Sequence, residues 1–231
     1  MKLVRVRPRP VEAPAKRRLS TTERERQIVD GAVQFFARHG FEGQLRELAA
    51  EIGIAHTLLY HYFPTKQALI ERVYRDAVEA RWNPAWEAML DDRRLAPEEK
   101  LTRFYSEYLR DTLTYDFVRL FIYSGLAKQT IDDRFFVLLR ERLFPRLIRE
   151  TRRQAGVTSR ARPSERELEL LIGLHGSIFY AAMRRHVYGQ AIYSAEAPPP
   201  GDVYVRDRVR SYLLSARAVL DAPAPRRVRI A

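Results

Sequence analysis

The side chains that most often carry out catalysis are present in this sequence, but not at catalytic spacings. It contains no cysteine, which excludes a thiol nucleophile, a disulfide and a thiolate metal site. Its five histidines do not fall at metal-ligand spacing, and the sequence has neither a phosphate-binding glycine loop nor a serine nucleophile elbow. Glu165, Glu169 and His175 lack the repeated Glu-x-x-His pattern of a di-iron bundle. We therefore expect no enzyme, no cofactor and no metal.

The charge of the chain favours a polyanionic partner instead. The formal net charge is +12 and the pI is near 10.2, a balance that favours binding to phosphates. The excess is uneven, because residues 1–19 hold seven basic side chains and one acidic, whereas residues 20–80 hold seven basic and nine acidic. Ten arginines accompany three glutamates between Arg134 and Arg166. We interpret that stretch as a solvated helix face, with contact to a polyanion as the alternative.

Nothing in the sequence predicts a membrane partner. Apolar runs stay well short of the roughly 18 to 20 residues that span a bilayer. The N-terminus carries charge but lacks the apolar centre of a secretory signal. Together with the absence of cysteine, this favours a cytoplasmic protein.

Apolar residues recur at three- and four-residue spacing, which predicts a nearly all-α fold. Residues 1–19 contain three prolines and dense charge, so we expect a disordered basic arm, and residues 222–231 form a second basic tail. Thr22 and Glu25 have the spacing of a capping box, which stabilises the start of a helix. In residues 20–80 the predicted helices run from about Thr22 to His39, Leu45 to Glu51, Ala55 to Tyr62 and Thr65 to Arg81.

Longer helices are predicted in residues 81–221. Pro97 suits a first helical turn, Pro145 should kink its helix, and Ser164 with Glu167 forms a second capping box. The sequence Pro-Pro-Pro-Gly at 198–201 predicts a loop. The predicted helices cover about 97–114, 117–129, 132–154, 165–188 and 203–221.

The second and third helices are joined by a tight turn with a glycine, which describes a helix-turn-helix. The residues there are LRELAAEIGI at 45–54 and LLYHYFPTKQAL at 58–69. Over residues 22–75 the sequence closely resembles the N-terminal domain of the TetR family of regulators. We expect a small core of apolar residues, with Ala49 and Gly53 small where the helices approach. The predicted core is Leu45, Leu48, Ala49, Ile52, Ile54, Leu59 and Phe63.

The resemblance also implies which side chains contact DNA. Arg46 would read guanine by a bidentate pair, Tyr60 and Tyr62 would contact phosphates, and Lys66 would add its charge to a helix N-terminus. The alternatives are a solvated Arg46, packing tyrosines and an exposed, idle His56. The full predicted set is Gln44, Arg46, His56, Thr57, Leu58, Tyr60, Tyr62 and Lys66.

Three departures from the family pattern leave the operator sequence open. Ala55 stands where a serine or threonine usually caps the recognition helix, Thr57 replaces a small residue or proline, and Gly43-Gln44 replaces a threonine pair. The basic arm could compensate for the acidic domain behind it. Alternating arginines at positions 5, 7 and 9 would lie in an adjacent minor groove, or the arm only aids solubility.

For residues 81–221, the resemblance implies a domain that binds an effector and forms a homodimer through the last two helices. Gly173 and Gly176 would permit close helix approach. Tyrosines and histidine on apolar stripes are also common as core residues, so the effector site stays open between the two interpretations. An aromatic or amphipathic effector is favoured, and an anion drawn to Arg119 is second. The candidate effector residues are Tyr105, Tyr108, Arg119, Tyr123, His175 and Phe179.

These observations favour a sequence-specific transcriptional regulator. The resemblance implies a ligand-responsive repressor that binds a palindromic operator on double-stranded DNA as a homodimer. The alternative is a helical architectural protein that binds DNA without sequence preference.

Overall fold

The computed structural model describes residues 19–127, 132–190 and 201–221, and within these ranges every regular element is helical. The all-α prediction is confirmed. Predictions for the basic arm, for residues 198–200 of the loop and for the tail concern residues outside these ranges. The first helices are α1 (Thr21–His39), α2 (Leu45–Glu51), α3 (His56–Tyr62), α4 (Lys66–Ala77) and α5 (Ala85–Asp91). The later ones are α6 (Pro97–Glu107), α7 (Tyr115–Leu126), α8 (Asp132–Leu138), α9 (Phe144–Gln154), α10 (Glu165–His186) and α11 (Gly201–Asp221).

Helix α1 begins two residues away from the predicted capping box. Ser20 is the N-cap: its Oγ accepts from the Glu23 backbone N–H at 3.2 Å, and Glu23 Oε2 accepts from the Ser20 N–H at 2.8 Å. The predicted box at Thr22 and Glu25 is therefore wrong. Both pairs have the required spacing, but Glu25 is engaged in an ion pair with Arg72 of α4.

The helix-turn-helix is held together by α1. Of its predicted core residues, Leu45, Leu48, Ala49, Leu59 and Phe63 are buried, while Ile52 and Ile54 are partly buried. The close approach falls at a different glycine from the one predicted. A Cβ at Gly31 of α1 would lie 2.3 Å from Ile52 Cγ2, whereas one at Gly53 would have no neighbour within 4 Å. Gly53 is required for another reason, because its φ of 69° favours glycine.

Between α4 and α6 the chain forms an element that the sequence did not predict. The fourth helix ends at Ala77, a 3₁₀ turn covers Glu79–Arg81, and α5 follows. Helix α5 buries Trp86 and Leu90. Seven residues are too few to display a helical period, which is why α5 escaped notice.

Two π-turns lengthen the helices of the C-terminal bundle. One, Tyr108–Thr112, extends α6, and the other, Leu139–Leu143, joins α8 to α9. Pro145 follows directly, and its clash with the carbonyl four residues earlier would fall at Glu141, inside the second π-turn. The predicted helix over 132–154 is thus continuous, with the irregularity placed before the proline. The other long helices begin and end within three residues of the predicted positions.

Helices α6, α9, α10 and α11 form the core of the bundle. Helix α11 buries its apolar stripe inside the chain, including Val205, Val209 and Tyr212. Gly173 and Gly176 are exposed on α10, and a Cβ at either would have no neighbour within 4 Å, so no close approach occurs there within the chain. No helix in the described ranges is long and apolar enough to cross a membrane.

The arginines of the stretch from Arg134 to Arg166 are largely engaged in ion pairs. Arg142 and Arg146 pair with Glu87 of α5, and Arg152 lies 2.6 Å from Glu167 of α10. The interpretation as a simple solvated face is therefore wrong for these side chains. Their partners tie α9 to α5 and α10. The paired set is Arg134, Arg142, Arg146, Arg149, Arg152 and Arg153.

Candidate nucleic-acid interface and effector cavity

Helix α3 presents a polar, solvent-facing surface. Leu59 is its buried anchor, and Thr57 and Tyr60 on the outer side are exposed, with Tyr60 at 43%. The His56 ring meets the Tyr60 ring edge-on at a centroid distance of 4.9 Å. Ala55 provides no side-chain cap, as the sequence indicated. The outer face of α3 can therefore offer hydroxyl and imidazole hydrogen-bonding groups to a partner.

Two cations flank this surface. Arg46 lies exposed in the first turn of α2, and Lys66 is the first residue of α4, next to the Thr65 N-cap whose Oγ1 accepts from the Ala68 N–H at 3.0 Å. Among the described residues, neither cation has an ion-pair partner, whereas Arg38 and Arg72 nearby are paired with Glu51 and Glu25. Arg46 and Lys66 are thus free to bind phosphate or base edges.

The remaining predicted DNA contacts are less exposed. Gln44 is exposed at the N-cap of α2, and its side chain makes no capping hydrogen bond. Leu58 and Tyr62 are partly buried, and Tyr62 packs against the hydrophobic core. The structure therefore brings all eight predicted residues to α2, α3 and their margins, with Tyr62 contributing to packing.

A polar junction joins α7 to the end of α1. Arg119 donates to the backbone carbonyls of Ala37 and Arg38, the latter at 3.4 Å, and its guanidinium also donates to the Tyr123 hydroxyl at 2.7 Å. The Tyr123 ring lies against Gly40, 3.3 Å from where a Cβ would be. A cation here is favourable because helix C-termini carry unpaired carbonyls and partial negative charge.

A cavity of about 720 Å³ lies between α7, α8 and α10. Its walls are mainly aromatic, and the charged residues Arg140, Glu165 and Glu169 on its lining are all exposed. The size and apolar character suit a small organic molecule. The aromatic side chains lining it are Tyr108, Phe121, Phe135, Phe136, Phe144 and Phe179.

One polar pair lies on the wall of this cavity. The Tyr108 hydroxyl is 3.3 Å from His175 Nε2, and their rings are 5.1 Å apart. Burial lowers the pKa of His175 to about 4, so the imidazole is neutral at pH 7. Burial also raises the pKa of Tyr108, which keeps the phenol protonated.

Half of the predicted effector residues line the cavity. Tyr108, His175 and Phe179 do, but Tyr105 is fully buried behind them and does not. Arg119 and Tyr123 lie at the α1 junction, so an anion drawn into the cavity by Arg119 is not what the geometry favours. Sequence reasoning missed Phe135, Phe136 and Phe144, although an aromatic pair inside an arginine-rich helix was a usable signal.

Comparison with known proteins agrees with the helix-turn-helix. Residues 28–73 match the family of bacterial regulatory proteins, tetR family. An uncharacterized HTH-type transcriptional regulator of Mycobacterium tuberculosis is 43% identical over 51 residues, 22% of either chain. The HTH-type transcriptional regulator RutR of Escherichia coli K12 is 30% identical over 102 residues, 44% of this chain. The match spans 22% and 48% of the length of these two relatives.

The fold extends the likeness beyond this domain. A TetR-like transcriptional regulator from Rhodococcus sp. RHA1 superposes with a TM-score of 0.63, covering 89% of this chain and 100% of the other at 19% identity. At that identity the likeness concerns the fold alone. The helix-turn-helix residues, the matched family and the shared fold together identify this chain as a DNA-binding transcriptional regulator of the TetR family.

Proposed function

We propose that this chain represses transcription by binding a palindromic operator as a homodimer, and that a small molecule in the C-terminal cavity weakens this binding. The observation that carries the proposal is the outer face of α3, where His56, Thr57 and Tyr60 face solvent between the unpaired cations Arg46 and Lys66. A recognition helix needs hydrogen-bonding groups toward the bases and cations toward the phosphates.

Dimerisation is supported by apolar residues left uncovered on the last two helices. Ile172 and Tyr180 of α10 are 44% and 52% exposed, and Leu214 of α11 is 74% exposed. Gly173 and Gly176 lie on the same exposed side of α10, where a second copy would find room to approach. Two helix-turn-helix domains at a fixed spacing would recognise a palindrome, because a twofold protein reads a twofold site.

An effector response is supported by the position of α7. Phe121 of this helix lines the cavity, while Arg119 and Tyr123, two residues before and after it, contact the end of α1. A ligand that displaces Phe121 would therefore move the helix on which α1 rests. Such a displacement changes DNA affinity only if the ligand binds one arrangement of the two domains better than the other.

The DNA-binding part is tested by selecting sites from random duplex DNA with the purified protein. We expect a palindrome to be enriched. Lys66→Ala should weaken binding to every sequence and lower the salt dependence by about one unit of slope. His56→Ala should instead reduce discrimination between operator and scrambled duplex by roughly tenfold.

Arg75→Ala is the matched control for Lys66→Ala, because Arg75 is an exposed basic residue in the last turn of the same helix. It should leave both affinity and salt slope unchanged. The proposal would be rejected if no sequence were enriched, or if Lys66→Ala and Arg75→Ala lowered affinity equally.

A further inference from the structure

The cavity between α7, α8 and α10 contains an enclosed polar atom that no described residue satisfies. This atom is Nδ1 of His175, which has no hydrogen-bond partner although it is screened from solvent. A buried polar atom without a partner is costly, so its presence on the wall of a cavity of about 720 Å³ indicates where a ligand supplies the missing bond.

The other ring nitrogen determines which kind of bond is missing. His175 Nε2 lies 3.3 Å from the Tyr108 hydroxyl, which has no other printed partner. If the phenol donates to Nε2, only one group stays unsatisfied: an N–H at Nδ1. If Nε2 carried the proton instead, both the phenol hydrogen and the Nδ1 lone pair would lack partners. The first tautomer leaves fewer polar groups unsatisfied, so Nδ1 is a hydrogen-bond donor.

The surroundings of His175 define the rest of the ligand. The Phe144 ring lies 5.7 Å from the imidazole, and Phe121 packs at 5.6 Å from both Phe135 and Phe179. Aromatic walls at these distances suit edge and offset contacts with another ring system. The charged lining residues are exposed, so no fixed charge faces the inner part of the cavity, and an ion would lose its hydration there without compensation.

We propose that the effector is an uncharged aromatic compound whose carbonyl or ether oxygen accepts a hydrogen bond from Nδ1–H of His175. This proposal rests on the proposed effector role of the cavity and specifies its chemistry. Tyr108 is the positioning residue, because its hydroxyl holds the imidazole in the donor tautomer.

A matched pair of probes tests this class. Benzophenone and diphenylmethane have the same two rings and differ at the carbonyl group. Displacement of the neutral dye N-phenyl-1-naphthylamine from the full-length protein reports binding of each. We expect benzophenone to bind on the order of tenfold more tightly, since the hydrocarbon leaves Nδ1–H unpaired.

Two variants separate the hydrogen bond from packing. His175→Phe should abolish the preference for the ketone, and Tyr108→Phe should reduce it by releasing the tautomer. Phe179→Leu also alters the cavity wall but removes no polar atom, so it should weaken both probes while preserving their ratio.

The outcomes distinguish this inference from the proposed function. Equal binding of the two probes to wild type, or a ketone preference that survives His175→Phe, overturns the acceptor class and leaves the cavity as an effector site. Dye binding without displacement by either probe also overturns the class. If the dye itself does not bind, the effector cavity of the proposed function fails as well.

Discussion

Gly31 is the single residue on which the packing of the helix-turn-helix against α1 most depends. A Cβ at this position would lie 2.3 Å from Ile52 Cγ2, a β-branched methyl that cannot swing away without changing rotamer. Gly31→Ala should therefore lower the free energy of unfolding by about 1–2 kcal/mol, despite the better helix propensity of alanine. Urea denaturation followed by circular dichroism measures this change.

The control uses the same substitution in a background without the methyl. Ile52→Leu removes the branch at Cβ and keeps the side-chain volume, so Gly31→Ala added to it should be neutral or stabilise by roughly 0.5–1 kcal/mol. A stabilising effect of Gly31→Ala in the wild-type background would show that the helices do not meet at this distance.

The ion pair between Arg152 and Glu167 predicts a defined pH dependence. Its hydrogen bonds with Arg152 lower the pKa of Glu167 to about 2, and those from Ser164 act in the same direction. A lowered folded-state pKa gives stability that is present above the ordinary pKa near 4.5 and is lost as the pH falls toward 2. Glu167→Gln should cost up to about 3 kcal/mol at pH 6, and much less at pH 3.

Glu169→Gln is the matched control, because Glu169 is an exposed carboxylate on the same helix with no printed ion pair. Its small effect should not change with pH. The assignment fails if the cost of Glu167→Gln is as large at pH 3 as at pH 6.

Among the helices, α7 has contacts on two sides that the sequence did not separate. Arg119 was grouped with cavity residues because it interrupts an apolar stripe, but it caps the carbonyls at the end of α1. Arg119→Ala should destabilise the protein by about 1–3 kcal/mol, because carbonyls of Ala37 and Arg38 lose their donor. It should also speed amide hydrogen exchange near Gly40.

Arg26→Ala serves as the comparison for Arg119→Ala. Arg26 also belongs to the DNA-binding domain, but its side chain is 84% exposed and its contact with Asp30 is 3.9 Å, so its loss should cost less than about 0.5 kcal/mol. Equal effects of the two substitutions would argue against a structural junction at Arg119.

The predictability of each element follows from the range of its determining contacts. The bounds of α2 and α10 could be predicted because their start signals, apolar spacing and length all lie within the element. Helix α5 and both π-turns could not, since α5 is held by Trp86 and Leu90 packing on distant helices. The same limit applies to Gly31, whose partner Ile52 lies 21 positions away in the chain.

At the level of the assembled protein, the proposed dimer predicts a specific sensitivity on α11. Leu214→Glu places a charge on a side chain that is 74% exposed in one chain, so folding should be unaffected. If a second copy covers this surface, the particle should change from twice 27.0 kDa to 27.0 kDa in light scattering after size-exclusion chromatography.

Leu126→Glu is a close match for Leu214→Glu, because Leu126 is 75% exposed at the end of α7, away from α11. That variant should keep the mass of the wild type. A wild-type mass of one chain, or loss of the dimer in both variants, would contradict the proposed interface.

The two candidate sites differed in how far the sequence could define them. The DNA-binding residues lie within 23 positions of one another on a short motif, so the resemblance could assign them together. The cavity draws its wall from helices far apart in the chain, from Tyr108 to Phe179. Its composition depends on which face of each helix turns inward, and that is decided by packing among the helices rather than by local spacing.

The most direct measurement is the affinity of the wild-type protein for its selected duplex and for a scrambled duplex at one fixed salt concentration. A recognition surface on α3 predicts that the selected duplex binds at least about a thousandfold more tightly. Both affinities should fall with added salt, while the ratio stays large. Equal affinities for the two duplexes would contradict sequence-specific recognition by this protein.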